Sequence, residues 1–105
     1  MNAIFRVSAI LVCAGAVATA WAEPAASVYK TKCAACHGAM GDASTPAGKA
    51  LKVPSFTSEE ALKETDANLL AIAMNGKGKM PAWHDKLSED KVKDLIAFIR
   101  AMQKK

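Results

Sequence analysis

Apolar residues recur at helical spacing near the C-terminus, where Val92, Leu95, Ile96, Ile99 and Met102 fall on one stripe between polar positions. Ser88 stands ahead of that stripe as an N-cap. Glu89 and Asp90 suit the positive helix start, Leu87 can staple onto Val92, and Arg100, Lys104 and Lys105 lie toward the negative end. A second apolar face, Leu69, Ile72 and Ala73, predicts a helix opened by Thr65-Asp66, running across Ala67 to Asn75 and stopped by Gly76. Ser58 or Thr57 can cap a short helix through Lys63. Ala25 to about Cys36 is helix-compatible, with Val28 and Tyr29 on a face that recurs near Lys32 and Cys33. Between them, His37 to Thr57 holds three glycines, two prolines and several small polar residues, which is loop chemistry. A loop of that length in a small domain needs something to wrap around. No segment alternates over a useful strand length, so the pattern predicts an all-α domain.

The N-terminus has a different texture. Residues 1–22 carry one charge, Arg6, then an apolar run from Val7 to about Val17, then small residues ending in Ala20-Trp21-Ala22. The run is short for a membrane span, and Glu23-Pro24 marks a cleavage site better than a stop-transfer flank. The expected organisation is a signal peptide at 1–22 and one domain at 23–105, with an uncleaved anchor as the alternative. Cys13 would leave with the leader, and the bulky Val12 before it disfavours a lipid-modified cysteine.

A chain of 105 residues has room for one domain, and a domain this small needs a disulfide, a metal or another buried group to complete its core. The formal net charge is +4, and Arg6 is the only cation in the leader, so the domain is mildly basic. Its lysines are spread along the chain instead of forming a stripe, which argues against nucleic acid as a partner.

Cys33-Ala34-Ala35-Cys36-His37 is a C-x-x-C-H sequence, which in an exported chain reads as c-type haem attachment. Two thiols three residues apart near a helix end can bond both vinyl groups on one porphyrin edge, and the adjacent imidazole can reach the iron. A thioredoxin-like redox pair, a structural zinc site and a plain disulfide are the rivals. The redox pair lacks its βαβ setting, and zinc would have only His84 left as a fourth ligand.

A six-coordinate iron needs a ligand opposite His37. The domain offers Met40, Met74, Met80, Met102 and His84. Met40 is too close in sequence to cross to the other haem face, and Met74 and Met102 fall in helical segments where core packing is the default. Met80 lies in Asn75-Gly76-Lys77-Gly78-Lys79-Met80-Pro81, a stretch able to bend a side chain toward a plane while Pro81 stiffens its exit. An open position and His84 are the alternatives.

These residues resemble the class I monohaem cytochromes c, most nearly the small bacterial and algal c6 or c-555 type, over essentially all of residues 25–102. The resemblance rests on CAACHG at 33–38, Gly-Lys-Gly-Lys-Met-Pro-Ala-Trp at 76–83 and Asp-Leu-Ile-Ala-Phe-Ile at 94–99. It implies the cytochrome c fold, three to four helices wrapped around one covalent haem c, with Met80 as the axial methionine. It implies also that Tyr29 and Phe98 lie on two helices that cross, with Ala25 standing where many members have glycine. Pro46 is similar to the family proline whose carbonyl accepts a hydrogen bond from the proximal imidazole, or is an ordinary loop proline. Trp83 can offer its indole N–H to a propionate, or serve as a semi-buried core aromatic. His84 reads as a solvated surface residue.

The function implied is that of a monomeric periplasmic electron carrier with no catalytic residues and no stable membrane insertion after cleavage. A His/Met haem leaves no free coordination position and favours the ferrous state. Val53, Phe56, Leu69, Leu70, Ile72 and Ile96 would bury the macrocycle. Lys30, Lys32, Lys49, Lys52, Lys77 and Lys79 would steer it onto acidic patches of redox partners. The rival readings are a membrane-retained haem subunit of an oxidase or dehydrogenase complex, and a haem-based small-ligand binder or peroxidase-like protein.

Overall fold

The computed structural model describes residues 23–105; the expected signal peptide at 1–22 lies outside the described residues. Among the described residues the chain is helical with no strand, as the apolar periodicity predicts.

The first helix starts behind Pro24, whose carbonyl accepts from the Ser27 and Val28 amides at 3.0 and 3.1 Å. It runs as α1, Ala25–Val28, through a π-helical turn, Tyr29–Cys33, into α2, Ala34–His37. The wide turn loosens the carbonyls before it, and the Thr31 hydroxyl donates to Ser27 O at 3.1 Å and to Val28 O at 3.3 Å. One extra residue in that turn re-aims everything that follows it. Gly38 ends the rod at φ 82° and ψ 154°, a conformation open only to glycine. A Cβ there would also meet Asp42 Oδ1 at 2.7 Å.

The segment read as loop, His37 to Thr57, contains a further short helix, α3, Pro46–Ala50. Thr45 caps it by accepting from Gly48 N at 2.9 Å, and Pro46 occupies the first position, where its missing N–H costs nothing. Helices α4, Glu59–Lys63, α5, Asp66–Asn75, and α6, Glu89–Gln103, follow where the caps and stripes predict them. Ser58, Thr65 and Ser88 each accept the amide three residues on, from Ala61, Asn68 and Lys91. The helices thus exceed the three to four expected, because α3 is added.

Helix α6 lies across α1 and the π-turn. Val28, Tyr29 and Leu95 form the buried cluster, with Phe98 and Met102 packed against it. The Tyr29 and Phe98 rings meet at 5.2 Å, tilted by 48°. Tyr29 is 2 % exposed, yet its hydroxyl is satisfied by donating to the Gly38 carbonyl at 2.6 Å. Arg100, read from the sequence as a helix-end cation, is a clamp: Nε meets Asp66 Oδ1 at 2.8 Å, and the guanidinium donates to the carbonyls of Glu64 and Ala61 at the α4–α5 junction. No helix among the described residues is long and apolar enough to cross a membrane.

Burial, followed by the Cys33 thiolate and the Asp42 carboxylate, pushes the Tyr29 phenol up to about 12 from its ordinary 10.0. Because the folded value is the higher one, its stabilising contribution is complete below pH 10 and is lost as pH rises toward 12. Urea unfolding between pH 8 and pH 11.5 should show that loss, and Tyr29→Phe should flatten it. An identical alkaline slope in Tyr29→Phe would assign the loss to other groups.

Candidate haem site

The attachment motif occupies the π-turn's last residue and α2. Cys33 and Cys36 are half-buried free thiols, not a disulfide. Burial pushes the Cys33 thiol up, against a smaller downward pull from Lys32. Burial also holds the His37 imidazole below its ordinary pKa, which favours the neutral ring that a metal ligand requires. Among the described residues no group of three or more His, Cys, Asp or Glu side chains converges as a metal site, so the zinc reading finds no support.

His37 is positioned by contacts absent from the sequence reading. Phe56 stacks on the imidazole with ring centroids 4.6 Å apart and planes 14° from parallel. The Phe56 amide donates to Gly41 O at 2.8 Å, and its carbonyl accepts from Gln103 Nε2 of α6 at 2.8 Å. Gly41, at φ 75°, leaves room for the ring, since a Cβ there would stand 2.7 Å from Phe56 Cδ2. The His37 carbonyl accepts from Ala43 N at 2.8 Å, and Ala43 takes a positive φ of 55° to reach it.

Helix α3 is seated on the end of the attachment helix. Thr45 Oγ1 donates to Ala35 O at 2.6 Å while accepting from Gly48, so one hydroxyl caps both helices. A Cβ at Gly48 would stand 2.4 Å from Cys36 O and 2.5 Å from Ala43 O. Pro46, expected to take a hydrogen bond from the imidazole, sits exposed at the start of α3 and does not: His37 Nδ1 is buried without a partner. The reason is that Pro46 is helical, which turns its carbonyl along α3. Its neighbours Thr45 and Gly48 make the contacts to the attachment helix.

Met80 closes a tight turn in which Lys77 and Met80 exchange both backbone hydrogen bonds, at 3.1 and 3.0 Å, with Gly78 at φ 57° between them. Gly76 ends α5 at φ 80° and ψ 164°, and a Cβ there would lie 2.8 Å from Met80 O. The chain then returns to α5 through Trp83 N to Ala73 O at 3.0 Å and His84 N to Met74 O at 3.2 Å. Met80 and Trp83 are half-buried. His84 is exposed and pairs with Asp85 at 2.9 Å, consistent with a solvated role. Of the residues expected to bury a macrocycle, Val53, Phe56, Leu69 and Ile72 are half-buried; Leu70 and Ile96 line a groove of about 460 Å³ between α5 and α6. Two free thiols on one turn, an imidazole held neutral beside them and half-buried apolar side chains fit a haem c.

Comparison with known proteins bears on the same residues. The family model of cbb3-type cytochrome c oxidase subunit III matches residues 20–99. Cytochrome c6 of Bryopsis maxima is 30% identical over 82 residues, covering 73% of this chain and 86% of its own, and that of Leptolyngbya boryana is 35% identical over 72 residues, covering 69% and 81%. The chain belongs to the class I monohaem cytochromes c. Among solved structures, the KustC0563 c-type cytochrome superposes with a TM-score of 0.70 at 26% identity, covering 76% of this chain and 98% of that one. The cbb3-type oxidase subunit CcoP of Azospirillum brasilense is 34% identical over 80 residues, but the match takes in only 27% of its length. This cytochrome is therefore an electron-transfer protein carrying covalently bound haem c.

Gly48→Ala should destabilise the holoprotein by about 1–3 kcal/mol, because its methyl group meets two backbone carbonyls that cannot move alone. Urea unfolding measures the change. An unaltered midpoint would show that α3 is not seated on the attachment helix.

Proposed function

We propose that this cytochrome is an exported, periplasmic one-electron carrier whose single haem is attached through Cys33 and Cys36 and ligated by His37 and Met80. The observation that carries the reading is the paired construction of the two ligand segments. His37 is braced by Phe56 and Met80 by its own reciprocal turn, and each follows or precedes a helix end fixed by glycine. When bound, haem c supplies a one-electron iron couple. Cys33 and Cys36 tether it, the desolvated His37 presents a neutral nitrogen, and a thioether such as Met80 favours the reduced state. Half-buried Val53, Phe56, Leu69 and Ile72 exclude water and push in the same direction. Lys30, Lys32, Lys49, Lys52, Lys77 and Lys79 are all exposed, which supports weak, salt-sensitive docking onto acidic surfaces of redox partner proteins.

A second reading, a haem subunit held within an oxidase complex, draws on the likeness to CcoP and the oxidase family model. The mass of the mature holoprotein separates the two, since a free periplasmic carrier lacks residues 1–22 and a retained subunit keeps them.

Carbon monoxide tests the coordination. The reduced wild-type protein should take it up slowly or not at all at neutral pH, whereas Met80→Ala should bind it readily and lose reduction potential. Rapid uptake by the wild type would overturn the His/Met carrier and favour a small-ligand binder.

A further inference from the structure

Resting on the His37/Met80 reading, we propose that Lys32, Trp83 and Lys86 form a cation–π clasp that holds the Met80 loop against the haem-attachment helix. Lys32 Nζ lies 6.0 Å from the centre of the Trp83 ring and Lys86 Nζ lies 5.4 Å from it. Lys86 is local, because its amide donates to Trp83 O at 2.9 Å and closes the turn that presents the indole. Lys32 comes from a distant part of the sequence, the π-helical turn directly before Cys33. The loop hydrogen bonds described above run within the loop or to α5, through Lys77–Met80, Trp83–Ala73 and His84–Met74. They fix the loop to α5 and leave its hold on the attachment helix to side chains. The Lys32 ammonium over the indole provides that hold, between the segment carrying His37 and the segment carrying Met80.

The clasp makes Lys32 and Trp83 positioning residues for the sixth ligand. Opening the loop separates the cation from the ring, so an exogenous ligand competing with Met80 must overcome that contact as well. An exposed cation–π contact changes such an equilibrium by about two- to five-fold. The π-turn matters here because its extra residue sets the direction from which Lys32 approaches.

Imidazole binding to the ferric holoprotein reads the loop equilibrium, and the methionine methyl resonance of the reduced haem reports the ligand itself. Lys32→Gln should raise imidazole affinity about two- to five-fold, Lys32→Arg should restore it, and Lys30→Gln, on the same helix, should leave it unchanged. In a double-mutant cycle, Trp83→Leu should abolish the effect of Lys32→Gln. Should Trp83→Leu fail to fold, the contrast between Lys32→Gln and Lys30→Gln decides alone. Equal affinities for those two variants, in a wild type that shows the methionine resonance, overturn the clasp and leave the His/Met reading intact. A wild type without that resonance overturns both.

Discussion

Tyr29 joins two parts of the molecule that would otherwise be independent. Its ring belongs to the buried cluster where α1 and α6 cross, and its hydroxyl holds the carbonyl of Gly38, the residue that ends the attachment helix. A phenol buried to this depth has to find an acceptor, and that requirement ties helix crossing to helix end. The orientation of Cys33, Cys36 and His37 is thereby set by core packing, not by their own short helical turn. Displacing α6 would move the Phe98 face of the Tyr29 ring and carry the attachment segment with it.

The remainder of the site is organised by capturing carbonyls. Short helices leave many of them unpaired, and α2, α3 and α4 have few residues in which to satisfy their own. Thr45 takes Ala35, Ala43 takes His37, Gln103 takes Phe56, and Arg100 takes those of Ala61 and Glu64. Gln103 and Arg100 come from the C-terminal helix, far along the chain from what they hold, and Thr45 and Ala43 from the loop before α3. That arrangement suits a small domain with a small buried core, because polar cross-links between segments do part of what a larger apolar interior would do.

The features visible in the sequence are those with a local signature. Helices α4, α5 and α6 each begin at a Ser or Thr that accepts the third amide onward, and α6 carries its apolar stripe in plain view. The C-x-x-C-H spacing and the glycine-bounded Met80 segment are local as well. The family likeness of Tyr29 to an aromatic on a crossing helix matches the contact with Phe98. What the sequence concealed is long-range. The stacking of Phe56 on His37, the reach of Arg100 to α4 and the seating of α3 on Cys36 join residues with no common period. Some traces were present: Thr45-Pro46 is a helix-start pair, and Gly41 and Gly48 occupy positions where a methyl group has no room. Read only as loop chemistry, they gave no hint of what they approach. Pro46 is the opposite case: of its two readings, a partner for the imidazole or an ordinary proline, the hydrogen bond is not made, and it opens α3.

Gly38 and Gly76 end the two helices that lead to His37 and toward Met80, and they adopt nearly the same backbone angles, φ 82° with ψ 154° and φ 80° with ψ 164°. That corner is essentially reserved for glycine, and its mirror image, φ −82° with ψ −154° and φ −80° with ψ −164°, lies past the edge of the extended basin. A D-amino acid would therefore be closer to an allowed conformation at either position without being free of strain, while every L-residue other than glycine is strained outright. The neighbours then set a second criterion, since Asp42 crowds one position and the Met80 and Ala82 backbone crowds the other. Handedness and available space thus act as separate filters at the same two points. Semisynthesis with D-alanine moves the methyl group to the other side of Cα, off the crowded L position, so the gain of D- over L-alanine would measure both filters together on the two sides of the site.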